Sequence, residues 1–202
     1  MSGSVAKPVR TDDAALVAAF RQGSEPAFNR LVLRYQDMIT GLCVRLLGNR
    51  EDGEEAAQET FVKAYKGMAR FRSEAVFSTW LYRIALNTCR NVHKSWWQRL
   101  RRRAVRLDRP VETETGAEPR ELGDTRMLPE KELHRKRLAT AINRALKTLP
   151  ANRRELVVLR DVQGMSYEEI ERITGIAPGT VKSRLARARA ALQRELKDIH
   201  YE

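Results

Sequence analysis

A run of polar side chains with helical spacing is the part of the sequence best suited to binding chemistry. In the stretch 77–94, cationic and amide side chains recur every three or four residues, which places them on one side of a helix. These residues are Arg83, Asn87, Arg90, Asn91 and Lys94. Such donors suit phosphate groups and the edges of nucleic-acid bases. The pattern is equally typical of a solvated basic helix face, so the rest of the chain must decide between the two interpretations.

A second side of the same predicted helix is apolar. It consists of Phe77, Trp80, Leu81, Ile84, Ala85 and Thr88. An apolar stripe stabilises a helix when it packs on a partner, so we expect this side to face a core and the polar side to face outward. Trp80 lies on the apolar stripe and is therefore predicted to belong to the core rather than to stack on a base.

Aromatic and basic residues follow this stretch directly. Trp96 and Trp97 precede a series of arginines, which begins at Arg99 and ends at Arg109. Arginines beside aromatic rings can hold phosphates and stack on bases. In the alternative interpretation, the tryptophans cover the end of the core and the arginines are solvated, and the sequence leaves both open.

A second candidate for nucleic-acid binding lies near the carboxyl end. Ser166 and Glu169 have the spacing of a capping box, which opens a short helix, and Gly175 suits its end. After a turn at 176–179, the next helix would expose mostly basic and small residues. These are Lys182, Ser183, Ala186, Arg187, Arg189 and Arg194. The order predicts a helix-turn-helix, whose second helix enters the DNA major groove, although a plain helical hairpin has the same pattern.

The rest of the chain is predicted to consist of helices that position these two sites. The helix expected to begin near Asp52 carries four acidic or amide residues in its first turns: Glu54, Glu55, Gln58 and Glu59. Acidic side chains there complement the helix dipole, which is a sufficient structural explanation for them.

A change of composition divides the chain. The stretch 110–129 has little apolar periodicity, contains two glycines and has a proline at each end, as is typical of a linker. We therefore predict an all-α protein with two small helical domains, at 10–100 and 131–198, joined by a flexible linker at 101–130.

The charge balance points to a polyanionic partner. Lys and Arg number 38 against 26 Asp and Glu, a formal charge of +12, which favours nucleic acid or an anionic membrane surface. No apolar run approaches the roughly 20 residues of a membrane span, and the amino-terminal residues lack the apolar core of a signal peptide. The expected location is the cytoplasm, without insertion into a membrane.

Residue types for catalysis are not grouped in the sequence. His93, His134 and His200 are isolated, and no glycine-rich phosphate loop or metal-ligand spacing occurs. We expect a protein that is not an enzyme and takes no cofactor, metal or small-molecule substrate. Cys43 and Cys89 lack paired spacing and are interpreted as small buried hydrophobic residues.

Three segments together resemble the bacterial sigma-70 family of RNA polymerase sigma factors, in its extracytoplasmic-function group. They are QETFVKAYKGMARF, FSTWLYRIALNTCRN and LPANRRELVVLRDVQGMSYEEIERITGIAPGTVKSRLARARAAL. The resemblance covers nearly the whole chain, from about Ala14 to Leu196. It implies a factor that directs core polymerase to promoters, of the kind that serves a stress or envelope-response regulon and is often held by an anti-sigma factor.

The resemblance also implies residue roles. The helix near Asp52 would contact the polymerase β′ subunit through Glu55, Gln58 and Glu59. The helix after residue 76 would recognise and open the minus-ten element, with Asn87 at a flipped base and the 71–76 loop as a wall of its pocket.

The carboxyl-terminal domain would, by the same resemblance, recognise the minus-thirty-five element. The implied contacts are Thr180, Lys182, Ser183, Arg184 and Arg187. Because Arg and Lys suit guanine, a G-rich step in the site is expected. Arg189 and Arg194 are expected at phosphates or at an acidic surface of the β subunit.

Two other classes of protein account for part of the pattern. A dimeric helix-turn-helix regulator explains the charge and the second site, but it leaves the basic, amide-bearing helix of the first domain unexplained. Such a dimer would protect a palindrome without polymerase. An RNA-binding adaptor would prefer single-stranded RNA to promoter DNA.

Overall fold

The computed structural model describes residues 10–71, 76–106 and 130–197, and these ranges are helical without strands. The helices are α1 (Arg10–Arg21), α2 (Glu25–Leu47), α3 (Arg50–Gly67), α4 (Phe77–Arg106), α5 (Glu130–Thr148), α6 (Ala151–Val157), α7 (Tyr167–Thr174) and α8 (Pro178–Lys197). Short helical turns follow α3 at Met68–Arg70 and α6 at Val158–Val162. The predicted all-α fold is confirmed. Among the described helices, none combines the length and apolar character of a membrane span.

Two element boundaries differ from the sequence expectation. Helix α3 begins at Arg50 rather than near Asp52, because Asn49 caps it by accepting a hydrogen bond from the Glu51 N–H at 2.9 Å. Helix α4 continues to Arg106, into the 101–130 range predicted as linker. The residues 107–129 of that range lie outside the described residues.

The first unit, α1–α4, is built around α2. One side of α2 is buried along its length, at Ala27, Phe28, Leu31, Tyr35, Ile39, Leu42, Cys43 and Leu46. The helix ends at Gly48, whose φ of 73° is left-handed and whose N–H donates to the Val44 carbonyl at 2.8 Å. This long buried side gives α1, α3 and α4 a common surface on which to pack.

Helix α1 is fastened to α2 by a buried carboxylate. Asp13 accepts hydrogen bonds from the Arg34 guanidinium and from the Tyr35 hydroxyl, and Asp12 also pairs with Arg34. Burial and the hydrogen bond to Asp13 raise the pKa of Tyr35, so its hydroxyl remains a donor.

Helix α3 crosses α2 at very close range at Gly53. A Cβ atom at this position would lie 2.5 Å from the Cα of Val44, closer than non-bonded carbon atoms come. The buried side of α3 carries small residues along the rest of the helix, at Ala56, Ala57, Thr60 and Ala64. The lack of a side chain at Gly53 therefore sets the distance between the two helices.

Helix α4 presents its apolar stripe to this core. Phe77, Leu81, Ala85 and Thr88 are buried. Trp80 is partly buried, with its ring centroid 4.8 Å from that of Phe71, so the prediction that it belongs to the core is confirmed.

The two cysteines are also buried, as predicted. They lie on α2 and α4 and interact with each other. The contact with Cys43, together with burial, raises the pKa of Cys89, so the thiol stays protonated.

The second unit, α5–α8, packs around the buried side of α8. Val181, Leu185 and Ala188 are fully buried, whereas Leu192, two turns after Leu185 on the same side, is half-buried. Their surroundings are the buried residues of α6 and α7, among them Leu156 and Ile170. The two units themselves are in contact, since α7 packs on α4, and α6 with its following turn packs on α2.

Gly53→Ala should destabilise the protein. The new methyl group has no room against the Val44 backbone, so the helices must separate, and overpacking of this kind lowers the free energy of unfolding by about 1–3 kcal/mol. Urea denaturation followed by circular dichroism measures the change. The control is Gly179→Ala, where a Cβ meets no atom within 4 Å; equal stability of the two variants would contradict the packing argument.

Candidate nucleic-acid interface

The polar stripe predicted on α4 faces outward. Arg83, Asn87, Asn91 and Lys94 are exposed, and their spacing places them along one line on the helix. The stripe is held by the packing of the neighbouring apolar stripe, which fixes the rotation of α4 about its axis. Four donors therefore face the same space from a rigid element.

The fifth predicted residue of the stripe, Arg90, is engaged by the second unit. Its Nε and Nη2 atoms donate to the two carboxylate oxygens of Glu155 on α6, at 3.0 and 2.5 Å. Its Nη1 atom donates to the Asn87 side-chain oxygen at 3.4 Å. The sequence placed Arg90 on the correct face but gave no signal of a partner 65 residues away.

The polar stripe continues beyond the predicted residues. Gln98 and Arg101 are exposed on the same face of α4. From Asn87 to Arg101 the helix rises by roughly 21 Å, at about 1.5 Å per residue. Beside this face lie Trp96 and Trp97, each 50% exposed, with ring centroids 5.5 Å apart in an edge-to-face arrangement. The tryptophans therefore contribute apolar surface next to cations rather than core.

The predicted wall of the base pocket is only partly described. Residues 72–75 lie outside the described residues. Phe71 is buried, and its carbonyl accepts a hydrogen bond from Arg21 at 2.6 Å, which fixes the chain where it leaves the α3 turn.

Helix α3 exposes a mixed surface away from α2. Glu55, Gln58 and Glu59 are exposed, and Val62, one turn further along, is 51% exposed. Sequence reasoning missed Val62; an apolar residue at helical spacing from three polar ones was the available signal. An apolar residue with a polar rim is the usual composition of a protein–protein contact.

A lysine connects this surface of α3 with α4. The Lys63 ammonium lies 2.8 Å from Glu59 and donates to the hydroxyl of the buried Thr88 at 3.1 Å. The contact joins the helix turn that carries Glu59 to the residue next to Asn87.

The predicted helix-turn-helix is formed by α7 and α8. The capping box is present: Glu169 accepts from the Ser166 N–H at 2.8 Å, and Ser166 accepts from the Glu169 N–H at 3.2 Å. Gly175 ends α7 with a φ of 74°. These caps and the buried Ile170 and Ile173 fix the angle at which α8 leaves the turn.

The predicted contact residues of α8 lie on its outer side, near its amino end. Thr180, Lys182, Ser183 and Arg187 are exposed, and Arg184 is half-buried. The Ser183 hydroxyl donates to the Thr180 carbonyl at 3.0 Å. All five predicted residues thus lie within the first three turns, where a recognition helix contacts bases.

Two further basic residues of α8 differ in their surroundings. Arg189 is paired with Asp161 through two hydrogen bonds at 3.0 and 2.5 Å, and this pair raises its pKa. Arg194 is exposed near the end of the helix. Arg194 is therefore the more accessible of the two for an acidic partner.

Within the described residues, no three His, Cys, Asp or Glu side chains lie close enough together to hold a metal ion.

Burial and the charge of Arg154 lower the pKa of His93, which keeps its imidazole neutral near pH 7.

Both units match family models. The model described as "Sigma-70 region 2" matches residues 31–104, and the model described as "Sigma-70, region 4" matches residues 139–192. The first match spans the α4 stripe and the α3 surface, and the second spans the helix-turn-helix.

Similar proteins cover nearly the whole chain. The RNA polymerase sigma-H factor of Pseudomonas aeruginosa is 35% identical over 193 residues, 93% of this chain and 95% of its own. The ECF RNA polymerase sigma-E factor of Haemophilus influenzae is 35% identical over 187 residues, 93% of this chain and 96% of its own. Among solved structures, the sigma factor RpoE in complex with the anti-sigma factor NepR from Bartonella quintana has a TM-score of 0.61 and 26% identity, covering 86% of this chain and 98% of that one.

Proposed function

Because the chain belongs to the sigma-70 family of RNA polymerase sigma factors, in its extracytoplasmic-function group, we propose that its two units recognise two elements of a promoter while α3 contacts core polymerase. Sigma factors bind core RNA polymerase and direct it to specific promoters. The observation that carries the residue assignment is that one chain exposes two separate faces of nucleic-acid-binding chemistry, on α4 and on α8.

The contact with polymerase is assigned to the outer side of α3. Glu55, Gln58 and Glu59 supply charge and hydrogen bonding, and Val62 supplies an apolar centre, toward the β′ subunit. Because Lys63 joins Glu59 to Thr88, docking at α3 acts on the helix that contacts DNA.

The minus-ten element is assigned to α4. Asn87 can donate and accept, which suits the edge of a base that has left the stack in melted DNA. Arg83, Arg90, Asn91 and Lys94 suit the phosphates and bases around it. The continuation of the stripe to Arg101, beside Trp97, extends the surface available to the strand.

The minus-thirty-five element is assigned to the first turns of α8. Lys182 and Arg187 suit guanine in the major groove, and Ser183 tolerates several bases. Thr180 lies where a helix amino end binds phosphate. Arg184, half-buried, contacts the groove edge, and Arg194 is available to the β subunit.

The role is non-catalytic, since polymerase supplies the chemistry, and it places the protein with the chromosome in the cytoplasm. A protein antagonist is the expected regulator, supported by the likeness to a sigma factor crystallised with an anti-sigma factor. The genes controlled are expected to belong to a stress or envelope response.

Run-off transcription with purified bacterial core polymerase tests the proposal. Fragments of a genomic library are transcribed with and without the protein. Transcripts that start at defined sites only in its presence are expected. Stable binding to a palindrome without polymerase, and no such transcripts, would instead indicate a dimeric regulator.

Asn87→Ala should impair promoter opening but not polymerase binding. The variant loses an amide that contacts an unstacked base, which weakens the open complex by about 1–3 kcal/mol. Permanganate footprinting measures strand opening, and co-elution with core polymerase measures docking. The control is Asn29→Ala, an exposed asparagine on α2; full opening by Asn87→Ala would exclude the base contact.

Arg187→Ala should weaken recognition of the upstream element. If Arg187 contacts a base edge, the loss is about 1–3 kcal/mol and is confined to DNA that carries the preferred base. Holoenzyme binding to promoters with single substitutions in that element measures it, with the exposed Arg144→Ala as the control. An equal loss on every sequence would identify a phosphate contact instead.

A further inference from the structure

The last residue of α1 carries a cation that contacts the chain 50 residues further along. The Arg21 Nη2 atom donates to the Phe71 carbonyl at 2.6 Å and lies 3.4 Å from the Ala69 carbonyl. Both oxygens belong to the end of the helical turn that follows α3, where carbonyl groups have no partner within the helix. A cation is favourable there, because the helix dipole places partial negative charge on these oxygens. Arg21 therefore holds the chain at the point where it leaves the α3 turn.

Helix α1 is attached to α2 near both of its ends, so Arg21 extends from a fixed support. Near the start of α1, Asp13 is buried and accepts a hydrogen bond from the Tyr35 hydroxyl. Near its end, the Phe20 ring centroid lies 5.4 Å from that of Phe28. With an attachment at each end, α1 cannot slide or rotate on α2 without breaking one of these contacts.

Phe71, held in this way by Arg21, packs against the first turn of α4. Its ring is buried, with its centroid 4.8 Å from that of Trp80 and 6.0 Å from that of Phe77. The Trp80 ring also lies against Gly67 at the end of α3, where an added Cβ atom would be 3.1 Å from the ring. In packing this close, a shift of Phe71 forces Trp80 to shift with it.

The position of Trp80 affects the polar stripe, because both belong to the first turns of α4. Asn87 lies seven residues after Trp80, roughly 10 Å along the axis at about 1.5 Å per residue. The turns between them are continuous helix, so a tilt or rotation at Trp80 displaces the Asn87 amide. A hydrogen bond weakens steeply when its distance or angle departs from the favoured range. The geometry of a base contact at Asn87 therefore depends on how firmly Phe71 is held.

We propose that Arg21 is a positioning residue for minus-ten recognition. From α1 it fixes Phe71, and through Phe71 and Trp80 it sets the orientation of the α4 side that carries Asn87. Arg21 makes no contact with DNA in this role, and its effect is on how sharply Asn87 discriminates between bases. This inference rests on the proposed function, because it requires that Asn87 contact a base.

A purely stabilising role for Arg21 has a different signature. Loss of stability lowers the amount of active protein, and this reduces opening of every promoter by the same factor. Loss of positioning instead changes the ratio between a promoter with the preferred base and one with a substituted base. The ratio is independent of the folded fraction, since both promoters meet the same protein sample.

The test compares the full chain with Arg21→Met, which keeps an apolar stem but removes the donors. Each promoter found by run-off transcription is paired with a copy carrying the least tolerated base substitution in its minus-ten element. Permanganate footprinting with core polymerase measures opening of both. The ratio between them should fall by roughly fivefold in Arg21→Met, the lower end of the discrimination that one base contact supplies.

Two further variants complete the comparison. Arg21→Lys keeps a cation that can donate to the Phe71 carbonyl, so its ratio should remain near that of the unmodified protein. Arg30→Met makes the same change of charge at an exposed position of α2, away from this contact, and is the control.

Equal ratios for Arg21→Met and Arg30→Met overturn the proposal. A ratio for Arg21→Lys as low as that for Arg21→Met also overturns it, because contact between a cation and the carbonyl would then not be what matters. Promoter-specific transcripts from the unmodified protein leave the proposed function standing even where the positioning role fails. Their absence counts against the proposed function and, with it, against this inference.

Discussion

The arrangement of the whole molecule depends on one buried guanidinium, that of Arg154. The last carbonyl groups of a helix lack partners within the helix and carry partial negative charge. Arg154 donates to such oxygens at the ends of two helices: Leu46 on α2, Lys147 in the last turn of α5, and Leu149 just after α5. Burial lowers the pKa of Arg154, and these carbonyl oxygens offset part of the cost of burying the cation, whose Nε has no partner among the described residues. This side chain thereby joins the second unit to the first, alongside the packing of α7 on α4.

The position of α6 in turn determines which sides of α4 are buried and which are exposed. One side of α4 packs into the core of the first unit, through residues such as Leu81 and Ala85. A second side contacts the other unit, through Tyr82 and Arg90. In the part of α4 between residues 77 and 94, the remaining side, which carries Asn87, is open to solvent. Helix α4 therefore faces the core of the first unit, the second unit and solvent on three different sides. Arg90 lies on the boundary between the side that contacts the second unit and the side that is open to solvent.

Local patterns in the sequence were sufficient to predict the helices, the Ser166 capping box, the position of Trp80 in the core and the burial of the cysteines. Each of these features depends on helical period or on residues a few positions apart. The relation of the two units was not accessible in this way. Glu155 and Gln163 look like ordinary polar helix residues, and their partners lie far away in sequence. The roles of the individual contact residues stay predictions.

The division of α4 into three sides also limits how relatives of this protein can diverge. A substitution at a packed position such as Ala85 changes the core, and one at Arg90 changes the contact with α6 as well as the edge of the polar stripe. Positions 83, 87, 91 and 94 are exposed and can be exchanged with little effect on stability. Under the proposed assignment of α4 to the minus-ten element, new promoter preferences can arise by mutation at a few positions of one helix while the scaffold is inherited unchanged.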